Sequence, residues 1–185
     1  MSETREYLRP SAKRMVMDAA VVTGDFVLAS GVRATEKFDI DRIADGTEEL
    51  RLCVNGLVNC IESNFRSKRA LVGGNRYAFD AIGSVANGAT RLGHLVCAEL
   101  GARHIQSYKD GNSEFAFQSD FEDITKLLVL DDVYTSGTNM EKYRQKLPAH
   151  VMPIGGVVVL DRSLPEHEPQ LQNGSPVFAA VRQVL

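Results

Sequence analysis

The sequence predicts an α/β protein: a central, mainly parallel sheet flanked by helices, with a small N-terminal hairpin set apart from it. Three stretches carry the prediction. Residues 127–140, LLVLDDVYTSGTNM, join a short apolar run to two adjacent carboxylates, a Thr-Ser-Gly-Thr loop and a helix-compatible segment. Residues 79–86, FDAIGSVA, lead through Asn87-Gly88 into a second such segment. Residues 152–160, MPIGGVVVL, form another apolar run. Runs without polar alternation suit strands buried on both faces, as in parallel sheets covered by crossover helices.

Taken in order, residues 12–22 read as a helix, because Met15, Val16, Ala19 and Ala20 are spaced for one apolar face, and Thr23-Gly24-Asp25 stops it. Residues 26–29 and 37–40 read as two short strands joined through a Ser30-Gly31 turn. Residues 47–64 are helical by the recurrence of Leu50, Val54, Leu57, Val58 and Ile61, with Thr47 as N-cap and acids in the first turn. Residues 67–77 are a polar loop around a brief strand at 70–72. Residues 79–86 form the first core strand, 89–100 a helix and 101–107 the next strand. Asp110-Gly111-Asn112 is a turn between strands at Ile105 and Phe115. Residues 127–130 are a buried strand, and the helix over 139–147 is ended by Pro148. The strand at 152–160 ends in Asp161-Arg162, a loop spans 165–176, and residues 177–185 form a final strand at the sheet edge. No repeat or linker interrupts this order, so residues 1–185 are expected to form one domain.

Composition narrows the function classes. A net charge of −3, 24% charged and 44% hydrophobic residues describe a globular chain without the basic excess of a general nucleic-acid binder. No apolar run approaches a membrane span, and the N-terminus MSETREYLRP lacks a signal-peptide core, so a cytoplasmic protein with no membrane partner is expected. Cys53, Cys60 and Cys97 fall in helical segments without CxxC spacing or paired histidines, and read as reduced core residues rather than zinc ligands. The four histidines are scattered and none is assigned a catalytic role.

The chemistry concentrates at residues 131–139. Asp131 and Asp132 sit at the C-terminal end of a parallel strand, where such sheets hold ligands, and can accept hydrogen bonds from two sugar hydroxyls. Thr135, Ser136, Gly137, Thr138 and Asn139 offer backbone amides, hydroxyls, a close approach at glycine and a helix N-terminus. The ligand implied is a ribose phosphate. Val85, Ala86, Asn87 and Gly88 form a second anion-binding turn of the same kind.

LLVLDDVYTSGT resembles the phosphoribosyl-pyrophosphate (PRPP) motif of type I phosphoribosyltransferases. GDFVLASGVRATEKFDID is similar to the opening of the orotate enzymes, and VVVLDR to a later stretch of them. This resemblance runs from Phe26 to Arg162. It implies the type I phosphoribosyltransferase fold with a hood formed mainly by residues 1–45, and transfer of ribose 5-phosphate from PRPP to a nucleobase, orotate above all, with release of pyrophosphate. It further implies Mg2+ at Asp131 and Asp132, 5-phosphate binding by residues 135–139 and pyrophosphate binding by residues 85–88. Phe38 and Arg162 would bind the base, Lys109 would be catalytic, and the protein would be a homodimer. Three departures bear on activity: Ala29 and Asn87 stand where orotate enzymes often carry Lys, and the segment around Lys109 is shorter and more acidic than their mobile loop. These leave open a PRPP- or nucleotide-binding regulator with weakened catalysis, and Glu36 and Lys37, where the orotate enzymes often carry two aromatics, leave open a phosphoribosyltransferase for another base.

Overall fold

The computed structural model describes residues 7–27, 33–67, 76–164 and 167–183. Its elements are α1 (Pro10–Ala20), β1 (Val21–Val27), β2 (Arg33–Phe38), α2 (Glu48–Asn64), β3 (Ala81–Ser84), α3 (Ala89–Leu100), β4 (Arg103–Lys109), β5 (Phe115–Phe117), β6 (Lys126–Tyr134), α4 (Thr138–Gln145), β7 (Met152–Asp161) and β8 (Val177–Arg182). A six-stranded sheet runs in the order β5-β4-β3-β6-β7-β8, and β1 and β2 form a separate two-stranded sheet. Within the larger sheet β4, β3, β6, β7 and β8 are parallel, and β5 is antiparallel to β4.

The apolar run at the start of β6 is buried on both faces, with Leu127, Leu128, Val129 and Leu130 each at 0% exposure. Alternation along the strand then divides the core. Leu128 and Leu130 join a cluster with Cys53, Leu57 and Ile61 of α2 and Leu92 and Val96 of α3. Leu127 and Val129 join the opposite cluster with Phe115, Phe121, Met140 and Tyr143. Full burial of one such Leu is worth about 2 kcal/mol, so this strand holds both layers to the sheet. Thr47 caps α2 as the sequence indicates, its Oγ1 accepting from the Leu50 amide at 3.4 Å.

Three local expectations are corrected. The first helix ends at Ala20, and Val21 begins β1, because Val21 and Val22 pair with Phe38 and Lys37 across the hairpin. Thr23-Gly24-Asp25 is therefore strand, with a register shift between Thr23 and Phe26 absorbing the glycine. The second hairpin strand is β2 rather than 37–40, and residues Ile40–Arg42 make a 3-10 turn capped by Asp39. The Ser30-Gly31 turn, Ala29 and the strand expected at 70–72 lie outside the described residues. Among those described, no helix is long and apolar enough to cross a membrane.

Candidate active site

Strand β6 does not stop at its acidic tip. It continues to Tyr134 because β7 accompanies it, with Asp131 opposite Val158 and Tyr134 opposite Asp161. Both carboxylates are thereby held on strand backbone, and each is tied locally: Asp131 Oδ1 accepts from the Asp132 amide at 2.9 Å, and Asp132 Oδ1 from the Val133 amide at 2.8 Å. Asp131 is 4% exposed. Burial, then the charge of Asp132, holds the Asp131 carboxyl well above the ordinary range, against a weaker pull from Lys109. Burial also raises Asp132. Ionisation of one carboxyl therefore opposes ionisation of the other.

Each carboxylate meets a different loop. Asp131 lines a small pocket with Val133, Thr135, Ser136, Gly137, Thr138 and Asn139. Gly137 has φ 73°, and its Cα hydrogen points at the Tyr134 ring, which a Cβ there would meet at 2.8 Å. Tyr134 is in turn fixed through its hydroxyl, which donates to the Gln170 carbonyl at 3.1 Å. Ser136 and Thr138 hydroxyls lie 2.8 Å apart at the mouth of α4. On the other side, a Cβ on Gly88 would stand 2.6 Å from Asp132 Oδ2. Only a glycine lets the turn at 85–88, which contains the cis peptide Ala86-Asn87, lie this close to the acid. The structure thus brings together Asp131, Asp132, residues 135–139 and residues 85–88.

Lys109 ends β4 with its Nζ 5.6 Å from the Phe115 ring centroid, near enough for its charge to act on Asp131. The segment after it is a tight hairpin: Asp110 accepts from the Asn112 and Glu114 amides, and Lys109 pairs with Phe115. Arg162 follows β7, donating its amide to Tyr134 O at 2.8 Å and its guanidinium to Glu36 O of β2 at 3.4 Å, so it spans sheet and hairpin. Its Nε is buried without a partner among the described residues. Neighbouring Asp161 turns to Arg182, 3.2 Å away, so no Asp161–Arg162 pair forms. Phe38 is placed differently from the expectation: it is 5% exposed within the core cluster of α2 and α3, where a ring cannot stack on a ligand.

Sequence reasoning missed Ser107 and Tyr134. A serine inside a strand and a tyrosine after an acidic pair carry no local signal; their roles arise from neighbours distant in sequence.

No protein-family model matches the sequence, and no functionally curated protein matches it. Solved structures do. Orotate phosphoribosyltransferase from Aeropyrum pernix superposes with a TM-score of 0.65 at 20% identity, covering 92% of this chain and 93% of that one. The chain has the type I phosphoribosyltransferase fold. The orotate phosphoribosyltransferase of Mycobacterium tuberculosis, in complex with inorganic phosphate, shares this fold with a TM-score of 0.62 at 17% identity, over 93% of this chain and 94% of that one. Adenine phosphoribosyltransferase from Rhodothermus marinus gives 0.60 at 16% identity, over 95% and 100%. The fold therefore spans proteins named for a pyrimidine and for a purine.

Proposed function

We propose that the chain is a Mg2+-dependent phosphoribosyltransferase that moves ribose 5-phosphate from PRPP to a base nitrogen, with loss of pyrophosphate, and that orotate is the acceptor. The observation carrying this reading is the flanking of one carboxylate pair by two turns, Gly88 against Asp132 and residues 135–139 against Asp131. A sugar bearing phosphate at both ends needs two such turns with acids between them.

As the bond from ribose C1 to pyrophosphate breaks, positive charge grows on the ring and negative charge on the leaving group. Asp131 and Asp132 hold the ribose hydroxyls and stabilise the cationic ring. The amides of Asn87 and Gly88, which donate to no other group among the described residues, face the pyrophosphate. The Thr135–Asn139 turn holds the 5-phosphate, and Lys109 adds a positive charge beside the acids.

The acids also fit magnesium. Their donors are hard oxygens, and their raised proton affinity is relieved by a divalent cation. Among the described residues no group of three or more His, Cys, Asp or Glu could hold a metal, so the remaining ligands would be substrate oxygens and water. Bound there, the ion would neutralise charge developing on pyrophosphate.

Orotate is favoured over a purine by Arg162, whose guanidinium can bind a carboxylate through two parallel hydrogen bonds. With Phe38 in the core, Arg162 is the base contact that remains of the two expected. The burial of Phe38 and the short Lys109 hairpin also favour a second reading, a PRPP-binding regulator with little turnover.

Pyrophosphate release from PRPP and Mg2+ is the test, with orotate and then a panel of bases, and PRPP binding measured beside it by calorimetry. Release with orotate is the expected result. Release only with another base would reassign the acceptor, binding without release would support the regulator, and no PRPP binding would overturn the proposal.

A further inference from the structure

Where β3 ends and the chain turns into residues 85–88, the parallel ladder releases backbone groups that are buried and need partners. One neighbour is supplied by β6: Leu130 O accepts from the Val85 amide at 2.9 Å. The other comes from a side chain. Ser107, on β4 and 1% exposed, donates its hydroxyl to Ser84 O at 2.7 Å and accepts from the Ala86 amide at 3.0 Å. A single hydroxyl thus clamps the two peptide groups on either side of Val85, using its donor and an acceptor together. The entry to the turn is pinned from both flanking strands, and the next amides, those of Asn87 and Gly88, donate to no other group among the described residues, with Gly88 lying beside Asp132.

Resting on the reading of residues 85–88 as a pyrophosphate site, we propose that Ser107 is a positioning residue for that site: its hydroxyl sets the direction of the turn's free amides without touching the ligand. Among the described residues no other hydroxyl bonds to Ser84 O or Ala86 N. Ser84 Oγ is itself committed, lying 2.8 Å from His104 Nε2. An alanine at 107 would leave a buried amide and a buried carbonyl unpaired at the root of the turn, and the chain would move to rehydrate them. Residues 135–139 lie on the far side of the acids and are built on β6 and α4, so their geometry does not depend on this clamp.

The test compares two ligands on the whole chain. Calorimetric affinities for pyrophosphate with Mg2+, and for ribose 5-phosphate, are measured for the wild type, Ser107→Ala and Ser107→Cys. Ser107→Ala is expected to lose about tenfold or more in pyrophosphate affinity while ribose 5-phosphate stays within about twofold. Ser107→Cys, a poorer donor and acceptor of similar shape, is expected to fall between wild type and Ser107→Ala. Equal retention of both ligands by Ser107→Ala, or an equal loss of both, overturns the proposal, as does a cysteine variant weaker than the alanine one. A wild type that binds neither ligand would instead remove the phosphoribosyltransferase reading, and the clamp's purpose with it.

Discussion

Gly88→Ala is the sharpest probe of the site, because the perturbation is a single methyl group aimed at one atom. The backbone at Gly88 lies at φ −58°, ψ −34°, in the right-handed region where alanine is at ease, so no conformational strain accompanies the change. The new Cβ would stand 2.6 Å from Asp132 Oδ2, about 0.8 Å short of ordinary van der Waals contact at 3.4 Å. Asp132 cannot simply rotate away, since its Oδ1 holds the Val133 amide at 2.8 Å. Either that bond or the turn must yield by most of an ångström. Misplacement of about 1 Å between reacting groups costs roughly 10²-fold in rate, so kcat/KM for PRPP is expected to fall by about that factor. The stability cost of overpacking is about 1–3 kcal/mol, and less here because the turn reaches solvent at Asn87. Steady-state pyrophosphate release and a thermal melt on the same preparation separate the two effects. Turnover within about threefold of wild type would refute the claim that Asp132 and the 85–88 turn act as one unit.

Other outcomes follow from the same geometry. Asp132→Asn keeps the shape and removes the charge, and should lower kcat by about 10²–10³-fold with the fold intact, checked by turnover and circular dichroism. His104, its pKa pushed down to about 4 by burial and then by neighbouring His94, is neutral in the folded chain and protonates more readily when unfolded. The unfolded state therefore binds more protons between about pH 6.5 and 4, and stability falls as pH drops through that window, by at most about 3 kcal/mol. Denaturant titrations of wild type and His104→Gln should diverge there and run parallel above pH 7. Cys53, Cys60 and Cys97 are buried, with thiols pushed up to about 12 by desolvation, and should resist a thiol reagent at pH 8 until denaturant is added. Rapid labelling of any of the three in the native state would contradict their packing.

What the sequence determined by itself is local. The spacing of Leu50, Leu57 and Ile61 and the cap at Thr47 define α2 to within a residue, and residues 89–100 coincide with α3, because apolar periodicity and caps act within a few turns. The order of apolar run, acids, Ser-Gly turn and helix likewise follows from neighbours in the chain. The Asp110-Gly111-Asn112 turn was legible for the same reason. Tertiary structure decided the rest. Val21 and Val22 left the helix pattern because the hairpin partner offered them a ladder, and β6 ran past its acids because β7 continued beside it. Phe38 entered the core because the apolar cluster beneath the hairpin removes its ring from water. The contact of Gly88 with Asp132, the clamp of Ser107 and the support of Gly137 by Tyr134 each join residues whose approach is fixed by strand order. Periodicity carries no record of which strand will lie beside which, and the site's spacing is a property of that order.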